Sequence, residues 1–306
     1  MTLLCLYRRF SITLIVAMVT FIALIPQSAS AGKDIKDKIR IPPEGISQII
    51  TLSDGSRIVG KIAEISSSEI KYQTDVGLMT IRIELIKGIK EIEPERMRKG
   101  KYWFPNPNAT RMFFWPTGRM LQKNNGYFSD IYLFFPGVSY GLSKYVTVGG
   151  GMSLLPGVDL DEQIYYFTPK FGLYSSENAN YAIGAMFISL PDIFDDEDDI
   201  NNAGAFYGVG TWGSPDGNLT FGLGYGYESG DMENKPMFVI GGEKRLARRL
   251  SFVTENWILP GVDQPISLYG LRFFGEGLSV DLALAAPLGE DFFFPGIPYV
   301  DFVFNF

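Results

Sequence analysis

The chain has 306 residues, 46% of them hydrophobic, with 34 glycines, 24 Phe, 16 Tyr, a single cysteine, no histidine and a formal net charge of −7. Without histidine there is no Ser-His-Asp or Cys-His nucleophile pair and no His metal site. A mean hydropathy of +0.08 excludes a disordered polar chain, and the presence of one apolar run of membrane length excludes a polytopic helical membrane protein.

That run follows Arg8 and Arg9, extends from Phe10 to Pro26 and ends in Ser28-Ala29-Ser30-Ala31, with the small residues at −1 and −3 that signal peptidase accepts. Residues 1–31 are expected to be a removed secretory signal, an N-terminal membrane anchor being the alternative. Cys5 precedes the apolar stretch, so the exported chain would hold no cysteine and could cross an oxidising compartment without forming a wrong disulfide.

Composition changes near residue 100. Residues 32–100 carry 13 basic and 11 acidic side chains, whereas residues 101–306 carry 12 basic and 23 acidic ones together with 40 of the 44 aromatics and 27 of the 34 glycines. Two domains facing different solvents are implied. Residues 32–45 read as an N-terminal linker, 46–93 as a small β domain, 94–108 as a second linker, and 109–306 as a membrane β-barrel. Pro94 and the turn-rich Asn106-Pro107-Asn108 mark the second linker.

In the small domain, strands are expected at 46–52, 57–65, 69–74, 78–86 and 88–92, with an Asp54-Gly55 hairpin turn and alternation in Ile81-Arg82-Ile83-Glu84-Leu85. Five short strands in about 50 residues predict a strongly bent small barrel. The pattern Ile-x-Leu-x-Asp-Gly-Ser-x-x-x-Gly-x-Ile over 50–62, with Thr80-Ile81 and a closing Ile-x-x-Ile, resembles Sm-like or SH3-like barrels. Members of the Sm-like family often bind RNA as rings. Here the near-neutral charge, the export signal and the lack of a basic aromatic patch argue against a nucleic-acid partner, and an interaction or spacer module is expected.

From residue 110 onward, segments of about ten residues alternate large apolar side chains with Gly or polar ones. In Leu219-Thr220-Phe221-Gly222-Leu223-Gly224-Tyr225-Gly226-Tyr227 every odd residue is large, so the two faces of that strand meet different surroundings. Strands are expected near 109–115, 130–142, 146–155, 164–174, 181–190, 203–213, 219–229, 237–245, 251–259, 266–275, 279–287 and 299–306. That makes twelve, ten being the alternative. The longer connections, including 116–129, would face outside the cell, and the short turns and both ends of the barrel would face the periplasm.

Alternation assigns an inward face carrying Lys170, Glu228, Glu243, Arg245, Glu255, Arg272, Asp281, Asp301 and Asn305, with Tyr166 and Tyr174. Lys170 in lipid would cost about 2–4 kcal/mol at the midplane, so it belongs inside. Arg272 could pair with Asp281 and Asp301 across the interior, either plugging it or selecting what passes. The run Asp195-Asp196-Glu197-Asp198-Asp199 falls in an external loop, read as a solvated rim or as a weak divalent-cation site bridging lipopolysaccharide. Its spacing does not match an EF-hand loop. No catalytic residue, cofactor or enzymatic activity is expected.

The chain ends Tyr299-Val300-Asp301-Phe302-Val303-Phe304-Asn305-Phe306, which resembles the recognition strand of bacterial outer-membrane barrels. The resemblance implies that Phe302, Phe304 and Phe306 are read by the barrel-insertion machinery. As a whole the chain resembles two-part exported proteins of Gram-negative bacteria, in which a small periplasmic β domain precedes an uncharacterised outer-membrane barrel. Asn106-Pro107-Asn108-Ala109-Thr110-Arg111 and Pro116-Thr117-Gly118-Arg119 look like a boundary motif of such proteins. The expected role is a passive channel or narrow, porin-like transporter for small solutes with a docking or gating domain. The alternative is a non-conducting barrel that anchors that domain. Expected partners are outer-membrane lipids, lipopolysaccharide and a periplasmic protein.

Overall fold

The computed structural model describes residues 35–190, 201–289 and 296–306. The expected signal segment and the acidic run Asp195 to Asp199 lie outside the described residues. Among those described, no helix is long and apolar enough to cross a membrane. The chain divides into two compact units, Met1–Trp103 and Phe104–Phe306.

The first unit opens with one helical turn, α1 (Ile35–Lys38), followed by β1 (Ser47–Leu52), β2 (Arg57–Ile65), β3 (Glu69–Thr74), β4 (Gly77–Arg82) and β5 (Ile86–Ile92). The β1–β2 turn is the expected Asp-Gly turn: Gly55 sits at φ +86° and the Asp54 carboxylate accepts the Ser56 N–H at 2.8 Å. The strands form one antiparallel sheet in the order β4-β3-β2-β1-β5. This sheet is open, not the closed small barrel expected, because no ladder joins its edges β4 and β5 among the described residues. A single 3-10 turn at Ile83–Leu85 breaks the strand expected over 78–86 and carries the chain from one edge to the other. Ile50, Ile62, Ile70, Tyr72, Ile81 and Ile86 make the core. Within the expected second linker, β6 (Met97–Arg98) and β7 (Lys101–Tyr102) pair as a minimal hairpin whose central Lys99 and Gly100 both have positive φ.

The second unit is a closed barrel of twelve antiparallel strands. They are β8 (Gly126–Ile131), β9 (Phe135–Gly141), β10 (Val146–Met152), β11 (Tyr165–Ser175), β12 (Ala179–Leu190), β13 (Asn201–Ser214) and β14 (Gly217–Glu228). A two-residue flap, β15 (Asp231–Met232), folds back on β14. The wall continues through β16 (Met237–Ala247), β17 (Leu250–Ile258), β18 (Ile266–Phe274), β19 (Leu278–Pro287) and β20 (Ile297–Asn305), and β20 pairs with β8 to close it.

The expected count of twelve holds, but its first two members do not. Residues 109–115 are not a wall strand, and 130–142 is not one strand but parts of β8 and β9. Pro107 and Pro116 bracket the first segment and limit how far a ladder could extend, and Phe113-Phe114-Trp115 does not alternate, so it lacks the length and the two distinct faces of a wall strand. The β8–β9 connection turns on Tyr132 (φ +57°) and Leu133 (φ +65°), bulky residues that give no turn signal in sequence. Residues 116–125 are accordingly not an external loop.

Around the wall the period-2 pattern is obeyed. Phe206, Leu219, Phe221, Leu223, Phe252, Phe273, Leu282, Phe302 and Phe304 point outward and are exposed. Bulky residues face glycines across the strands, as in Gly208↔Leu223 and Gly210↔Phe221. This outer apolar band is the lipid-facing surface of a transmembrane barrel. Tyr174 departs from its expected inward face: a bulge between Gly172 and Tyr174 shifts the register, and its ring stands outside, 5.9 Å from Tyr181.

Candidate functional site

The lumen is filled by the chain itself. Residues 104–125 precede the first wall strand, and they enter, reverse and leave the barrel at its short-turn end. Asn106 accepts the Asn108 N–H in a tight Asx turn at 3.0 Å. Residues 110–117 then close a hairpin through Thr117 N–H to Thr110 O and Met112 N–H to Trp115 O, both at 2.9 Å, with a bridge between Arg111 and Pro116. The returning strand is tied to the wall by Gly118 N–H to Thr211 Oγ1 at 2.8 Å and Leu121 N–H to Thr147 Oγ1 at 3.4 Å.

Inward charges of the wall hold this hairpin. Glu255 Oε2 accepts the three successive N–H groups of Phe113, Phe114 and Trp115 at 2.8, 3.1 and 3.1 Å, while its Oε1 accepts Trp257 Nε1 at 2.7 Å. Arg272 is wholly buried and bidentate on Asp281 at 2.7 and 2.8 Å. It also reaches Glu243 at 2.8 Å and donates to the carbonyls of Asn108 at 2.9 Å and Met112 at 2.5 Å. Glu243 in turn accepts Asn106 Nδ2 at 2.7 Å. Arg111, from the hairpin, pairs with Asp301 and lies over the Tyr127 ring. Lys170 Nζ donates to the carbonyls of Thr117 at 3.2 Å and Arg119 at 2.7 Å, with Thr110 O at 3.4 Å. At the short-turn end Arg245 pairs with Asp216 at 2.9 Å and donates to Phe104 O at 2.8 Å.

Apolar packing completes the fill. Met112, Phe113 and Trp115 form a core with wall residues Tyr207, Val209, Val239, Val253, Leu268 and Tyr299. Inward glycines are the sockets: a Cβ on Gly222 would strike the Trp115 indole, one on Gly241 would lie 2.7 Å from Met112 Sδ, and one on Gly172 2.7 Å from Met120 Cγ.

Seven of the eight charged residues expected on the inward face, Lys170, Glu243, Arg245, Glu255, Arg272, Asp281 and Asp301, are therefore brought together around one segment. Glu228 is not; it stands exposed at the long-loop end beside β15. Asn305 donates to Gly277 O at 3.4 Å, outside the network, and Tyr166 fills the space left by Gly137 and Gly151. Phe302 and Phe304 face outward on the closing strand, and Phe306 exchanges two backbone hydrogen bonds of 2.9 Å with Gly126 at the seam. What the sequence reading missed is the other half of the site: Asn106, Asn108, Arg111 and Trp115. The prolines at 105, 107 and 116 were its available signal.

Every carboxylate of this interior is engaged by an arginine or by backbone amides, and no group of three or more Asp, Glu, Cys or His able to hold a metal occurs among the described residues. The arrangement can close a path, or hold it closed. The fold is that of a closed transmembrane β-barrel. No family model and no curated protein matches the chain. Among solved structures it is similar to the NanC porin, with 9% identity over 59% of this chain and 97% of that one and a TM-score of 0.34. It is also similar to OmpT of Vibrio cholerae, with 11% identity, 85% and 95% coverage and a TM-score of 0.33. A Rhodopseudomonas blastica porin gives 12% identity, 85% and 98% coverage and a TM-score of 0.31. Superpositions this loose transfer neither solute nor mechanism.

Proposed function

We propose that the chain is a narrow outer-membrane channel for small solutes, closed in the present conformation by its own in-turned hairpin and controlled from its N-terminal unit. The observation that carries this reading is covalent: the segment filling the lumen begins at Phe104, directly after the first unit ends at Trp103. A partner that docks on that unit and pulls would act first on the plug. The chemistry of the wall supports the same reading. A permanently sealed interior is built at lower cost from apolar side chains, because buried ion pairs must repay their desolvation. Charges that line water once the plug withdraws have a second use as the wall of a polar pore. In this reading residues 1–31 are a removed signal, the first unit lies in the periplasm as an interaction module of Sm-like type, and Phe302, Phe304 and Phe306 form the insertion signal.

A second reading, a non-conducting anchor, is favoured by the apolar packing of Met112, Phe113 and Trp115, which gives the hairpin the character of a core. Planar-bilayer recording of the full chain separates the two. A gated channel gives rare openings in the wild type and frequent ones in E255Q and K170M. Silence in all three, with barrels still folded and heat-modifiable, assigns the anchor.

A further inference from the structure

The outward face of β14, β16 and β17 carries a trough whose chemistry is not that of plain lipid-facing wall. Along β16 the outward positions run Ile240, Gly242, Lys244 toward the short-turn end. Gly242 is the floor, flanked by its cross-strand partners Leu219 and Thr254. Trp212, Leu219, Ile240 and Phe252 make apolar sides, and the space between them is about 550 Å³. At the long-loop end the trough meets polar groups turned toward lipid. Ser267 Oγ donates to Asn256 Oδ1 at 2.7 Å, and Asn256 Nδ2 donates to Ile240 O at 2.9 Å. At the short-turn end Lys244 is exposed, and Arg248 and Arg249 are exposed in the turn that follows. Among the described residues Lys244 is in no ion pair, while the neighbouring inward Arg245 is committed to Asp216.

We propose that this trough is a binding site for an anionic phospholipid of the leaflet at the short-turn end. Its phosphate would lie among Lys244, Arg248 and Arg249, and one acyl chain would run over Gly242 between Leu219 and Phe252. The match is amphipathic along a single axis: three cations at one end, then an apolar slot with a glycine floor. A Cβ at Gly242 would crowd the Asn218 backbone, so the depth of the slot is set by the backbone itself. Basic residues at the membrane surface attract anionic headgroups, and a lysine on the wall reaches them by extending along it. The site does not depend on whether the lumen opens.

Native mass spectrometry of the full chain, released from micelles holding equal amounts of phosphatidylglycerol and phosphatidylcholine of the same acyl length, tests this. Phosphatidylglycerol should be retained in preference, and K244Q should weaken that preference about five-fold, the effect of one basic residue at a charged surface. T254L, which narrows the slot, should lower retention of both lipids while leaving the barrel heat-modifiable. Equal retention of the two lipids by the wild type, or an unchanged preference in K244Q, overturns the proposal. A two-chain species lost in T254L would assign the face to a second copy and overturn it as well.

Discussion

The two units build opposite interiors from similar strands. In the first, the inside is isoleucine-rich around one buried tyrosine, Tyr72, and the charges sit on the surface in pairs such as Arg40–Glu91 and Lys71–Glu64 at 2.9 and 2.6 Å. In the second, the fully buried side chains include Arg272, Glu255, Asp281 and Asp301, while Phe, Leu and Ile are exposed outside. The same period-2 alternation is read with reversed polarity because the second unit has lipid where the first has water. The comparison also shows what each interior demands. The first needs only burial, with a few satisfied polar groups such as Gln48, which accepts Ile62 N–H at 3.2 Å. The second needs a partner for every charge, and these come from ion pairs within the wall such as Arg272–Asp281 and Arg245–Asp216 together with the in-turned segment from Phe104 to Arg119.

Removing that supply should therefore cost far more in the barrel than an equivalent change in the first unit. The largest effect is expected for R272M, which strands Asp281 and Glu243 and frees the carbonyls of Asn108 and Met112. Breaking one side of a buried pair costs about 3–5 kcal/mol, so the barrel should lose its heat-resistant gel mobility at a lower temperature and conduct more when reconstituted. G222A comes next: overpacking against Trp115 should cost about 1–3 kcal/mol and quench or shift tryptophan emission as the hairpin is displaced. In the first unit Y72F should cost only about 1 kcal/mol, by deleting the 2.7 Å hydrogen bond from Tyr72 Oη to Gln48 O, read as faster amide exchange in β1 to β3 of the full chain. If R272M and Y72F prove equally mild, the contrast between the interiors fails.

Tyr72 also sharpens the contrast through pH. Burial pushes its phenol above the usual tyrosine range. The folded unit thus keeps a proton that the unfolded chain releases near pH 10. Its contribution is intact below that pH and is lost as pH rises through the folded value. Alkaline weakening of the first unit should be smaller in Y72F than in the wild type; equal weakening would show that the phenol is not what senses pH there.

Much of this was legible in the sequence, and the reasons are physical. Alternation in 219–227 fixes which face is which, so Lys170, Glu243, Glu255 and Arg272 could be placed inside from charge alone. The aromatic C-terminal segment could be recognised as a barrel strand, expected at 299–306, and it is β20, which pairs with β8. The filling of the lumen was not legible. Arg111 and Trp115 look like residues of a wall strand until the prolines around them are weighed, and nothing in the alternation distinguishes Gly172, Gly222 and Gly241, which serve as sockets, from the other small residues of the wall. Glu228 shows the limit of parity: it has the inward phase, but it sits beyond the height at which an inside exists. Tyr174 shows another, since one bulge inverts the face of everything after it.

The central claim, that residues 110–117 are docked in the lumen of the intact protein, is tested most directly by amide hydrogen exchange of the reconstituted full chain. The amides of Phe113, Phe114 and Trp115, all held by Glu255, should be protected to the level of β16 to β18, and in E255Q that protection should fall while the wall strands keep theirs. Exchange of these three amides at loop rates in the wild type would contradict the account.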